Sequence, residues 1–242
     1  MSLKKILSLF LLSFSLIGSS NADYSDGDTA YAEGDYQGAI LEWLQVAEQG
    51  DARAQYNVAW MYANGQGAVQ DFQEAANWYK KSADQGYVHA QYNLANLYLR
   101  GNGITQNDFL AFSWFLKAAE QGEAEAQYMI GEMHYTGRGV ERDDEKMVFW
   151  LRKAAEQGFS KAQYHLSVLY QLGLGVPVDI VEQYAWLETS IRKDTDRRAL
   201  NFRDNIKNHL EKNNEKWMEA DAKAKEYSRK YNKSGENIVT YR

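Results

Sequence analysis

Four histidines, His89, His134, His165 and His209, are the side chains of this 242-residue chain best suited to ligating a metal or moving a proton near neutral pH, because there is no cysteine. Their spacing suits neither task. No two stand four residues apart, as a helical metal site needs, and no His-Glu-x-x-His motif occurs. If each lies on its own helix, with packed helices about 8–10 Å apart, His89 and His165 are on the order of 20 Å or more from each other. The run Asp143-Asp144-Glu145 has the composition of a carboxylate pair or a calcium site. It also stands where a helix would begin, and negative charge is favourable there without any metal. The serines lack a strand-turn-helix elbow.

Two further features have the residue types of chemistry. Gly-x-Gly pairs occur at Gly65/Gly67, Gly101/Gly103, Gly137/Gly139 and Gly173/Gly175, but a dinucleotide cradle needs a preceding strand and a third glycine, and neither is present. Trp78, Trp114, Trp150 and Trp186 could form a ladder for sugars or bases; each falls in an apolar helical stripe, which makes it a core residue. No cofactor, metal or catalytic residue is expected, and the chain reads as a non-enzyme.

What positions all of these residues is one period. Ala54-Gln55-Tyr56 returns as Ala90-Gln91-Tyr92, Ala126-Gln127-Tyr128 and Ala162-Gln163-Tyr164, 36 residues apart each time, in step with the glycine pairs and the tryptophans. Such a period marks a solenoid, whose units must stack to bury their apolar faces. Four units are expected at 51–86, 87–122, 123–158 and 159–194, after a degenerate one at 23–50 that begins with a short helix at 28–33 and continues with one at 36–48.

Each unit reads as two helices. In the first, positions such as Ala54, Val58, Met61 and Tyr62 share one face at helical spacing. The Gly-x-Gly turn stops that helix, and an apolar plug follows (Ala68, Ile104, Val140, Val176). Asp71, Asn107, Asp143 and Asp179 then cap the second helix, which buries positions such as Ala75, Trp78, Tyr79, Ser82 and Ala83. His134 and Gln183 depart from core columns, and His134 is expected to find a hydrogen-bond partner. Lys193-Asp194 replaces the closing Gln-Gly, so the array stops there. Ala199, Phe202, Ile206 and Leu210, then Trp217, Ala220, Ala224, Tyr227 and Tyr231, give two amphipathic helices over 195–231 that can close the open end, and 232–242 reads as a flexible tail.

Charge and address narrow the function. Lys4 and Lys5, the apolar run from Ile6 to Ile17 and the small-x-small Ser20-Asn21-Ala22 read as an export signal over 1–22, cleaved before Asp23. No other segment is a membrane candidate. Residues 23–191 carry 11 basic and 24 acidic side chains, whereas 192–242 carry 14 and 9. The repeats therefore repel nucleic acid and favour a basic protein partner. The basic end could meet anionic lipid headgroups, but its apolar steps are better explained by packing on the fourth repeat.

The pattern Ala-Gln-Tyr-x-Leu-x-x-Leu-Tyr-x-x-Gly-x-Gly-Val, an acidic cap, then Trp-Leu-x-Lys-Ala-Ala-Glu-Gln-Gly resembles the Sel1-like repeat, a relative of the tetratricopeptide repeat, over about 144 of the 242 residues. The resemblance implies an all-α protein: an α/α solenoid, a right-handed superhelix of antiparallel helix pairs, with a C-terminal helical cap, used for protein–protein interaction. It also places the first helices on the concave side. Family members occur among exported bacterial proteins that regulate signalling, envelope assembly or virulence. An adaptor, scaffold or regulator of a periplasmic envelope protein is the expected role, with an inhibitor or immunity protein and, less favoured, a sugar-directed enzyme or carrier as alternatives.

Columns that diverge between copies are free for recognition. In the first helices these fall at one face, and the ladder reads Arg53, Asn57, Trp60, Asn64; His89, Asn93, Asn96, Arg100; Glu125, Met129, Glu132; Lys161, His165, Val168. Trp60 and Met129 are its expected apolar anchors.

Overall fold

The structure, a computed structural model, describes residues 23–191 and 197–232. Among these residues every regular element is a helix: α1 (Tyr24–Ala32), α2 (Tyr36–Glu48), α3 (Ala52–Asn64), α4 (Phe72–Asp84), α5 (Val88–Arg100), α6 (Asp108–Glu120), α7 (Ala124–Thr136), α8 (Asp144–Glu156), α9 (Ser160–Leu172), α10 (Ile180–Ile191), α11 (Arg197–Leu210) and α12 (Asn214–Tyr231). Each helix packs on the next in sequence, and α12 folds back on α10. This is the one-dimensional stacking of a solenoid.

The capping chemistry is local. Asp71 accepts from the N–H groups of Gln73 and Glu74 at 2.9 and 3.0 Å, Asn107 from Leu110 at 2.9 Å, Asp143 from Lys146 at 2.9 Å, and Asp179 from Val181 at 2.8 Å. Each thereby satisfies donors that the first helical turn leaves open. α1 differs from expectation: it begins at Tyr24 rather than Asp28, capped by Asp23, whose side chain accepts from Ser25 N–H. Gly27 then lies buried against Trp43, and a Cβ there would overlap the indole ring. Only glycine lets α1 approach α2 this closely.

Both glycines of each Gly-x-Gly turn have positive φ, but their surroundings differ. The first ends its helix in the left-handed conformation, with room for a side chain or nearly so. The second is packed on the preceding unit: Cβ atoms at Gly67, Gly103, Gly139 and Gly175 would run into the backbone of Tyr36, Phe72, Asp108 and Asp144, the opening residues of α2, α4, α6 and α8. The turn is thus also an inter-repeat contact.

The invariant glutamines make a second junction. Gln55, Gln91, Gln127 and Gln163 are buried, and their Nε2 atoms donate to the carbonyls of Ala47, Ala83, Ala119 and Ala155 in the preceding unit at 3.0–3.2 Å. Within each unit Gln85, Gln121 and Gln157 in turn donate to Oε1 of Gln55, Gln91 and Gln127 at 2.8, 2.7 and 2.8 Å. Each amide therefore ties three helices together inside the core, where an unmade bond is costly.

Beyond the array, Ile206 and Leu210 of α11 and Ala220 and Ala224 of α12 are buried against α10. Tyr227 and Tyr231 lie on Trp186 with ring centroids at 4.5 and 5.5 Å, and Trp217 meets Tyr184 edge-on at 5.5 Å. Lys193 and Asp194, the Ala199 side chain, the signal-like residues 1–22 and residues 233–242 lie outside the described residues. Asn232, read from sequence as the first tail residue, is instead bonded: its Nδ2 donates to the Thr189 carbonyl at 2.8 Å and its Oδ1 accepts from Gln163 Nε2 at 3.2 Å. No helix of the described residues is long and apolar enough to cross a membrane.

Candidate functional site

The divergent ladder of the first helices is built on their core stripe: Ala54, Val58 and Met61 fix the roll of α3 by burial, which turns positions 53, 57, 60 and 64 to the other side. The same holds in α5, α7 and α9, where Ala90, Leu94, Leu97, then Ala126, Ile130, Met133, then Ala162, Leu166, Leu169 are buried.

The ladder is not a row of independent side chains. The Arg53 guanidinium lies over the Tyr24 ring, 4.2 Å from its centroid, and Asn57 Nδ2 donates to Tyr24 Oη at 2.8 Å. Trp60 is half-buried and edge-on to Tyr31 at 6.3 Å; Asn64 donates to the Trp60 carbonyl at 2.8 Å. One unit on, His89 Nδ1 stands 3.6 Å from Glu123 Oε2 and its ring is close to Tyr56 and Tyr87. Asn93 reaches Tyr79 Oη at 3.4 Å and Asn96 donates to the Tyr92 carbonyl at 3.1 Å. Further along, Glu132 Oε1 and His165 Nδ1 pair at 3.0 Å across two units, bringing together residues 33 apart.

Arg100, Glu125 and Lys161 are exposed, and Val168 is half-buried. The two expected anchors stand differently. Both pack against the core, but Trp60 also walls a cavity of about 320 Å³ between α1, α2 and α3, with Asp28, Tyr31, Trp43, Tyr56 and Asn57. Neither projects as a knob; Trp60 offers a socket. His134 is buried, its Nδ1 3.3 Å from the Glu141 carbonyl and its ring edge-on to Phe112 at 5.4 Å, so it serves the core and not the ladder.

Electrostatics follow the same face. Burial pushes the phenols of Tyr24, Tyr56, Tyr92 and Tyr128 up to about 12 by disfavouring the phenolate. Burial likewise raises the carboxyl of Glu123, against the opposing pull of His89. Asp28 is raised for the same reason, although the Trp43 indole N–H, Arg53 and the Tyr24 hydroxyl all favour its charged form. Trp43 Nε1 is buried and has no hydrogen-bond partner among the described residues. Among the described residues no three His, Asp or Glu side chains converge as a metal site requires.

Sequence reasoning missed three elements here. Gln55 and its copies carried a signal, an unvarying polar residue on an otherwise apolar face; so did the second glycine of each turn. Tyr24 and Asp28 carried none, because α1 belongs to the degenerate first unit, whose residues do not align with the four full copies.

Comparison with known proteins agrees with this architecture. The Sel1 repeat model matches residues 52–87, 88–123, 124–159 and 160–194, each match starting one residue after the unit read by period. A Sel1 repeat protein of Oxalobacter formigenes is 33% identical over 71% of this chain and 50% of that one, with a TM-score of 0.65. The c5321 protective antigen of uropathogenic Escherichia coli, which displays an SLR fold, is 28% identical over 91% of this chain and 58% of that one, with a TM-score of 0.55. The chain thus spans about half the length of these two solved relatives. No curated protein matches it significantly. Four consecutive matched repeats, in helices that stack as the period requires, mean that this chain belongs to the Sel1 repeat family.

Proposed function

We propose that this protein is a non-catalytic binding module that is exported, works in the periplasm as an adaptor, scaffold or regulator of an envelope protein, and holds its protein partner on the ladder face of its first helices. Sel1 repeats are generally protein-interaction modules. The observation that carries the assignment to this face is that several of its variable side chains are already held by residues of a neighbouring unit, as in Asn57 to Tyr24 and Glu132 to His165. A surface held this way loses less side-chain freedom on binding, which favours affinity. The acidic balance of residues 23–191 favours a basic partner and faster association at low salt.

Crosslinking followed by capture from the native envelope tests the reading, with an Arg53→Glu/Trp60→Ala double variant beside the natural chain. The expected result is a partner held by the natural chain and released by the variant. Equal capture by both would move the interface to the second helices or α11–α12. A captured enzyme silenced by one-to-one binding would make the chain an inhibitor instead of an adaptor.

A further inference from the structure

The cavity beside Trp60 carries the reading further, and the inference rests on the proposed binding face. About 320 Å³ lies at the small end of ligand sites, enough for one long side chain and small for an extended ligand. Its walls are aromatic, from Tyr31, Trp43, Tyr56 and Trp60, and Asp28 is the carboxylate among its lining residues. Asp28 forms no ion pair within 4.0 Å with any described residue; Arg53, the nearby cation, is spread over the Tyr24 ring instead. The Tyr24 hydroxyl, itself held by Asn57, and the Trp43 N–H both bear on the carboxylate, leaving it acceptor sites for a further donor.

We propose that this cavity receives a cationic side chain of the protein partner, arginine or lysine, with Asp28 as the counter-charge and the faces of Trp60 and Tyr31 as its aromatic wall. Ring faces attract ammonium and guanidinium groups, more strongly when water is excluded. A planar guanidinium can also meet a carboxylate through two parallel hydrogen bonds, so arginine is the better fit of the two. The Arg53 guanidinium on Tyr24 shows that this patch accommodates such a group at stacking distance. An anionic ligand would meet Asp28, and a purely apolar one would bury that carboxylate without a partner, at a cost.

The probe is Nα-acetyl-arginine N-methylamide, titrated into the purified protein while the indole N–H resonances of Trp43 and Trp60 are followed by NMR. The neutral isostere Nα-acetyl-citrulline N-methylamide serves as comparison. The arginine compound is expected to shift both resonances saturably and to bind about tenfold more tightly than the citrulline compound. Asp28→Asn should erase that difference with circular dichroism unchanged, and binding should weaken as pH falls through the raised Asp28 carboxyl range. Equal binding of the two compounds, no shift from either, or saturable binding of a neutral saccharide in their place overturns the proposal. The comparison of the two compounds on the natural chain needs no variant to fold.

Capture experiments keep the two readings apart. A partner held equally by the natural chain and by Asp28→Asn removes the socket and leaves the binding face. Selective binding of the arginine compound with no partner captured keeps the socket and removes the partner assignment.

Discussion

The two ends of the solenoid face the same problem, an exposed apolar flank of a terminal unit, and resolve it differently. At the C-terminal end α12 lies back over α10, and Trp186 disappears beneath Tyr227 and Tyr231. Asn232 reaches Gln163, the last rung of the glutamine ladder, whose Oε1 has no hydrogen-bond partner. At the N-terminal end, among the described residues, the nine-residue helix α1 lies against α2 and α3 and leaves a socket. Among the described residues two helices close one edge and one short helix leaves an opening at the other, and that opening coincides with the most aromatic part of the ladder. The closed end is architecture; the open end has room for recognition.

Truncating a tryptophan at each end is the sharpest way to break this contrast. Trp186→Ala is expected to cost about 3–5 kcal/mol, because it leaves a cavity under α12. Trp60→Ala should cost about 1 kcal/mol or less, since the ring is half-exposed and already borders empty space. Urea unfolding followed by circular dichroism measures both, and hydrogen exchange should show the first loss concentrated in α9–α12. Comparable losses at the two ends would mean that the N-terminal edge is as structural as the other.

The repeat interior supplies the next comparison. Gly103→Ala should cost about 2–4 kcal/mol, combining a left-handed backbone with a Cβ forced into the Phe72 backbone. Gly101→Ala should cost about 1–2 kcal/mol, chiefly from the backbone conformation, since its Cβ would meet only the Gln106 side chain closely, at 3.2 Å. Identical unfolding midpoints for the two variants would remove the inter-repeat role of the second glycine.

For the glutamine ladder, Gln127→Ala should cost about 1–3 kcal/mol by removing a buried side chain together with its bonds to the Ala119 carbonyl and the Gln157 amide. Asn232→Ala, at the last rung, should cost about 1 kcal/mol. Amide exchange in α8 should accelerate more for the first than for the second.

The smallest effect is confined to high pH. The folded phenols of Tyr56, Tyr92 and Tyr128 sit at about 12, above the free value of 10.0. The stability they contribute is therefore complete below pH 10 and lost as pH rises through about 12. Phenolate absorbance titrated beside helicity should show these groups ionising together with unfolding; ionisation at pH 10 with helicity retained would contradict their burial.

Stretches with copies were the legible part of the chain. Four parallel statements of one pattern separated the core columns from the variable ones, so helix pairs, caps and the ladder from Arg53 to Val168 could be read from spacing alone. The degenerate first unit was legible only in part: periodicity located α2, but α1 begins at Tyr24, four residues before the expected start, capped by Asp23 and with Gly27 buried on Trp43.

Sequence by itself determined the family, the period and which side chains vary, since these follow from residue identity repeated at helical spacing. Tertiary structure alone decided that the second glycine is a contact, that Gln55 and its copies tie three helices, and that Trp60, an expected apolar anchor, walls a socket. The physical reason is the same in each case. Helical spacing states which face a residue is on, but only stacking states which atoms stand opposite it, and hydrogen bonds, ring contacts and cavities are properties of the pair.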